Sequence, residues 1–274
     1  MSPSHEIRHR RIHFRDLALL GVGRRRETVK VGVLPNVYAQ SIEALIPEAK
    51  AQGLDIQIVE FTDWTTPNLA LQSGDIDVNY FQHKPFLDNA SKQGGYDFGV
   101  AGLGILSNIG LYSLKHKDFQ SVPGGGTVAV ANDPVNQGRG LLLLQKAGLI
   151  KLKDGVGFRA TLDDVVENPK KLKFSEVEGP QLVRVTPDVD LAMGYPNFIA
   201  VSKAFDPGSG LLYSGVEDKQ FAIAFVVQKK KIDDPAIKKL VALYQNSDAV
   251  KAAIAKGFGD NSKLYALSWI NDAH

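Results

Sequence analysis

The sequence predicts an α/β protein of two lobes, each a sheet with helices packed on its faces. Three observations lead there. From Val29 onward, short apolar runs alternate with stretches of helical period, a repeat that implies mostly parallel sheets. The series breaks at Val122-Pro123-Gly124-Gly125-Gly126 and then begins again. A late apolar run, Phe221 to Val227, follows the second series. The chain is therefore expected to leave one lobe, build the other, and return by a second crossing, with 29–112 plus 226–274 as lobe one and 113–225 as lobe two.

Taken in order, Val29 to Leu34 reads as a buried strand closed by Pro35-Asn36. Ser41 to Gln52 carries Ile42, Leu45, Ile46 and Ala49 at helical spacing, with Pro47 expected to bend or interrupt it. Leu54 to Phe61 alternates as a strand. Pro67 opens a short helix that Gly74 ends. Asp75 to Phe81 is the next strand and Pro85 to Lys92 the next helix, with apolar runs at Phe98–Leu106 and Ile109–Leu114. After the break, Thr127 to Ala131 is a strand and Pro134 to Ala147 a helix. Phe174–Val177, Asp190–Met193 and Phe221–Val227 read as strands, and helices follow at Asp234–Tyr244 and Ser247–Ala255.

Composition removes several classes of function. With no cysteine, the chain offers no disulfide, thiolate metal site, iron–sulfur cluster, cysteine nucleophile or lipid-modifiable thiol. The net charge of +2 rests on the arginine-rich start, and the remaining body is slightly acidic, so no nucleic-acid partner is expected. Residues 1–28 read as a disordered tail or a degenerate export signal. The apolar run Leu17 to Gly23 is at the short limit for such a signal, and Arg24-Arg25-Arg26 behind it would oppose translocation. No other segment approaches the length of a membrane span.

Three segments can carry chemistry, each at a passage from strand to helix, where ligands of open α/β sheets bind. In Asn79-Tyr80-Phe81-Gln82-His83, alternation puts Asn79, Phe81 and His83 on one side. His83 suits either a ligand contact or a helix-start hydrogen bond. In Asn132-Asp133-Pro134-Val135-Asn136-Gln137-Gly138-Arg139, a helix start and a guanidinium together would hold a carboxylate, although Arg139 fits a solvated helix face equally well. In Gly194-Tyr195-Pro196-Asn197-Phe198, Asn197 can donate or accept. Gly124-Gly125-Gly126 precedes a strand and lacks a following Lys-Ser/Thr, so it reads as a connector. The pairs Asp75/Asp77 and Asp163/Asp164 face no partner across a cleft, the histidines show no metal spacing, and Lys229-Lys230-Lys231 reads as a solvated edge. No catalytic residue, metal or cofactor is nominated.

At these segments the chain resembles the NlpA/MetQ family of methionine-binding lipoproteins that serve ABC importers. The resemblance is carried by FTDWTTPNLAL (61–71), GDIDVNYFQHKPFL (74–87), GLYSLK (110–115), VANDPVNQGRGLLLLQKAGLIKLKDG (130–155), ENPKKLKF (167–174) and DVDLAM (188–193). It implies a bilobal periplasmic-binding-protein fold of type II that closes like a hinged trap. It implies capture of methionine or a related small amino acid by a monomer in the periplasm or cell envelope, with an ABC permease and its ATPase as partners. By the same resemblance Arg139 binds the ligand carboxylate with Asn136 beside it, Asn197 matches the family asparagine, and Trp64, Phe81 and His83 shape the side-chain pocket.

The chain departs from the family in three places, one of them Glu178-Gly179-Pro180 before Gln181-Leu182, where the family usually has alanine-like residues. It also has no cysteine to carry a lipid, and Gly194-Tyr195-Pro196-Asn197-Phe198 replaces the family's Asn-Gly-Asn-Tyr-Ala phrase. An enzyme or a ligand-sensing protein on the same bilobal scaffold is the alternative.

Overall fold

The computed structural model describes residues 27–270. The tail or export signal expected over 1–28 lies outside these, except that Glu27 and Thr28 begin the first strand. In chain order come β1 (Glu27–Val33), α1 (Val37–Ala51), β2 (Leu54–Glu60), α2 (Thr66–Ser73), β3 (Val78–His83), α3 (Lys84–Gly94), β4 (Phe98–Leu103), β5 (Ile105–Ser107) and β6 (Gly110–Tyr112). They are followed by β7 (Thr127–Ala131), α4 (Pro134–Lys146), β8 (Lys151–Leu152), β9 (Val165–Glu167), β10 (Lys173–Val177), α5 (Leu182–Val185), β11 (Leu191–Gly194), α6 (Pro196–Ser202) and β12 (Leu212–Tyr213). The chain ends with β13 (Ile223–Gln228), α7 (Pro235–Asn246), α8 (Asp248–Gly257) and β14 (Tyr265–Leu267).

Two five-stranded sheets organise the lobes, in the orders β2-β1-β3-β13-β4 and β10-β7-β11-β6-β12. Both are mixed, which corrects the expectation of mostly parallel sheets. β1 lies parallel to β2 and β3, whereas β13 runs antiparallel to β3 and β4. β7 lies parallel to β10 and β11, and β6 is antiparallel to β11 and β12. The antiparallel strands are those at which the chain crosses between sheets, so they arrive without a helical crossover to turn them parallel. β6, read from sequence at the end of lobe one, pairs in the second sheet, and β13 enters the first sheet from Ile223 onward.

Each sheet has its own core. On one face of the first, Val29, Val31, Val33, Tyr80, Phe225 and Val227 pack against Ile42 and Leu45 of α1 and Leu240 and Tyr244 of α7. On its other face, Ala224 and Val226 meet Leu71 and Leu87 from α2 and α3. The second core gathers Val128, Val130, Leu141, Leu144, Leu191 and Met193. Pro47 sits inside an unbroken α1, so it does not interrupt the helix. It is on the exposed side of the helix, as is Glu43 one turn earlier, whose carbonyl loses its helical partner to the proline.

Gly138 shows how closely the second lobe is packed. A Cβ placed there would collide with the backbone carbonyl of Phe158, which cannot swing aside as a side-chain tip could. Gly138→Ala is expected to lower stability by about 1–3 kcal/mol. The check is the urea midpoint of the ligand-free protein; an unchanged midpoint would mean that the 157–160 segment yields freely.

Candidate functional site

Between the two sheets lies a cleft of about 510 Å³ of empty space, counted to its mouth. All six side chains singled out from sequence line it: Trp64, Phe81, His83, Asn136, Arg139 and Asn197. They come from the carboxyl ends of β2, β3, β7 and β11, or from the turns and helix starts just beyond. The sequence reading put no catalytic pair here, and the acidic pairs it set aside are engaged elsewhere. Asp77 holds Lys231 at 2.7 Å and Asp164 accepts from Thr161 and Lys153. Among the described residues no three His, Asp or Glu side chains converge to hold a metal ion.

β3 delivers Phe81 and His83 by a bulge. Tyr80 pairs with Phe225 and His83 with Ile223, so three steps on β3 match two on β13. One extra residue resets the pleat, as bulges beside binding sites do. Strict alternation would put Asn79 and Gln82 on opposite faces, yet Gln82 Nε2 donates to Asn79 Oδ1 at 2.9 Å. Both amides also bond Asn68 of α2, through Asn79 Nδ2 at 2.9 Å and Gln82 Nε2 at 2.6 Å. This buried amide cluster is fully committed to itself, so it fixes β3 without competing for a ligand.

His83 performs both roles that the sequence left open. It caps α3, its Nδ1 accepting from the Phe86 amide at 3.2 Å, and it also faces the cleft. That bond leaves the proton on Nε2, which donates to Asn136 Oδ1 at 3.1 Å. The contact joins the first lobe to the second. Burial, and then the charge of Arg139, lower the His83 pKa from 6.5 to about 3.

Asn136 is held from behind. Asp133 caps α4 and accepts from the Asn136 backbone at 2.9 Å and from its Nδ2 at 3.1 and 3.2 Å. The Asn136 oxygen is thereby turned to the cleft, where it also accepts from Arg139 Nη1 at 3.1 Å. Arg139 is only 8% exposed and has no ion-pair partner among the described residues. Its guanidinium lies over the Phe221 ring, 4.1 Å from the centroid. Burial lowers the Arg139 pKa, with tyrosines and Asp133 acting against that shift. A buried guanidinium that keeps donors free for the cleft is built for an anion. The solvated-helix reading of Arg139 does not hold.

The opposite wall is aromatic. Trp64 meets Phe86 edge-on at 5.8 Å and Tyr195 of the second lobe at 5.4 Å. Its backbone N–H also donates to the Glu178 carboxylate at 3.3 Å, again across the lobes. Such a wall suits an apolar or polarizable side chain. Two buried side-chain polar atoms in the described structure have no partner, Tyr195 Oη and Asn197 Oδ1, and both residues line this cleft. Buried polar atoms rarely stay unpaired, so these two are open to a partner from outside the protein.

Tyr38, Phe86, Phe198 and Phe221 also line the cleft and were not singled out in advance. Phe86 sits in the first turn of α3, a position visible from sequence. Tyr38 likewise sits in the first turn of α1, whereas Phe221 is a long-range neighbour whose only local signal is its place just before β13.

Gly179 packs directly under the Trp64 indole, and a Cβ there would occupy the ring's position. Gly179→Val should push Trp64 out and hold the lobes apart, weakening ligand affinity by about tenfold or more while the fold survives. Calorimetry checks this, and an unchanged affinity would show that the indole contact does not matter to closure.

Comparison with known proteins agrees with this geometry. The NlpA lipoprotein family model matches residues 29–266. The D-methionine-binding lipoprotein MetQ of Escherichia coli strain K12 is 43% identical over 244 residues, covering 86% of this chain and 89% of that protein. A crystal structure of the methionine binding protein MetQ superposes with a TM-score of 0.83 at 41% identity, covering 89% of this chain and 99% of that one. A nutrient binding protein from Burkholderia cenocepacia bound to methionine superposes with a TM-score of 0.77, also at 41% identity, over 84% and 97% of the two chains.

Proposed function

The chain belongs to the NlpA lipoprotein family, and we propose that it is the substrate-binding protein of an ABC importer, capturing methionine or a closely related amino acid between its lobes. One observation carries this reading. A buried guanidinium with no ion-pair partner among the described residues and a buried carbonyl oxygen with no hydrogen-bond partner line the same small cleft beside an aromatic wall. That arrangement complements an α-amino acid. Arg139 takes the carboxylate, Asn197 Oδ1 accepts from the ammonium, and Trp64 and Phe81 surround the side chain. Asn136 aims Arg139, and His83 ties Asn136 to the first lobe when the cleft is shut. Charged groups removed from water need such partners, and burying the apolar side chain adds to the affinity.

Lobe one is the unit built on the first sheet and lobe two the unit built on the second, with the hinge in the two crossings, around residues 104–109 and 214–222. The protein works in the periplasm or at the cell envelope, handing its ligand to a permease with an attached ATPase. Among the described residues no helix is long and apolar enough to cross a membrane.

Capture without reaction distinguishes this role from that of an enzyme on the same scaffold. Labelled methionine, bound to the protein and recovered by unfolding it, should return chemically unchanged at one equivalent per chain. Recovery of an altered product would contradict the proposal.

A further inference from the structure

The Tyr195 hydroxyl is one of the two buried side-chain polar atoms without a partner in the described structure. The ring is well anchored: it lies edge-on to Trp64 at 5.4 Å and near Phe198 at 6.3 Å. The residue is 8% exposed. A phenol of this kind adds area to an aromatic wall whether or not it carries a hydroxyl. The oxygen therefore needs its own explanation, because an unsatisfied buried hydroxyl costs stability that phenylalanine would not.

Resting on the amino-acid reading above, we propose that the Tyr195 hydroxyl binds the charged backbone end of the ligand, donating a hydrogen bond to its carboxylate beside Arg139. The chemistry of the two orphan atoms divides the work. Asn197 Oδ1 can only accept, so it suits the ammonium. The hydroxyl can donate, and a carboxylate held by Arg139 is the strongest acceptor the ligand brings. Arg139 lines the same cleft, and after burial the charges that act on the Tyr195 hydroxyl are those of Asp133, Arg139 and Tyr38, so the guanidinium stands within electrostatic reach of the hydroxyl. Tyr195 also feels the state of closure. Its hydroxyl belongs to the second lobe while the ring leans on Trp64 of the first, so the donor is held in place only when the lobes meet.

Tyr195→Phe removes the oxygen and keeps the ring. The ligands are L-methionine and L-norleucine, which share their charged groups and differ at the sulfur. Calorimetry of the wild type and the variant should show about a tenfold or greater loss of affinity, of similar size for both ligands. The ligand-free variant should unfold at the same temperature as the wild type or higher, because nothing in the protein loses a partner. A loss confined to methionine would assign the hydroxyl to the thioether and overturn the proposal. Unchanged affinity would overturn it as well, as would a marked fall in the unfolding temperature of the ligand-free variant, which points to a structural role. Failure of the wild type to bind either ligand would remove the amino-acid reading itself, and this inference with it. Tight wild-type binding with an indifferent variant removes only the role of Tyr195.

Discussion

Arg139→Ala is expected to abolish measurable ligand binding while the ligand-free protein folds and melts as before. The two halves of that result have different causes. Binding fails because the carboxylate would enter a buried site with its main cationic partner gone. Truncating one side of a buried, hydrogen-bonded charge pair costs about 2–5 kcal/mol, a loss of roughly 30-fold to several thousand-fold. Folding survives because Arg139 gives little to the empty protein. It makes one hydrogen bond, to Asn136, lies on the face of Phe221, and has no ion-pair partner among the described residues. A buried cation without a counter-charge is a cost to the fold that alanine relieves. Calorimetry and a thermal melt of the same sample read both halves. Retained affinity would remove Arg139 from the site, and a large drop in melting temperature would make it structural.

Acidification should open the cleft. In the closed form His83 is buried, faces the Arg139 cation, and has its pKa lowered from 6.5 to about 3. Its Nδ1 is occupied as an acceptor from the Phe86 amide, so the closed form has no room for a second ring proton. When the lobes part, Arg139 leaves with the second lobe and water reaches the ring, so the pKa returns towards 6.5. The open form then takes up a proton that the closed form refuses, and closure weakens as pH falls through the open-form value. Affinity is expected to be flat above about pH 7 and to fall about tenfold between pH 7.5 and 5.5. Asp133 acts in the opposite sense, since burial raises its pKa from 3.8 and favours its protonated form in the closed state. Titrations across this range check the slope, and His83→Gln should flatten it. A profile equally steep in the variant would place the titrating group elsewhere.

Much of the fold was legible because the strand and helix periods are local. β1, β2, β7, α4, α7 and α8 lie within a few residues of their sequence-based positions. Strand direction was not legible, because nothing in the run Phe221–Val227 states that it enters between β3 and β4 antiparallel to both. The β3 bulge was hidden for the same reason. It exists only in the pairing of Tyr80 and His83 with β13, so alternation misassigned the faces of Asn79 and Gln82. The site was more legible than the topology, since its residues cluster where strands pass into helices, and those passages are punctuated by prolines at Pro67, Pro85, Pro134 and Pro196. What sequence left open about Arg139 was burial. Whether a guanidinium one turn into a helix faces water or a cleft depends on the other lobe, here on Phe221 at the return crossing.

The most direct test of the account is calorimetric titration of protein stripped of carried ligand by unfolding and refolding, using L-methionine, D-methionine and a panel of other amino acids. The account predicts one site per chain with micromolar or tighter affinity for methionine, about −8 kcal/mol or more favourable. Absence of heat with every free amino acid would contradict it, because the guanidinium and carbonyl oxygen buried in the cleft would then serve some other chemistry.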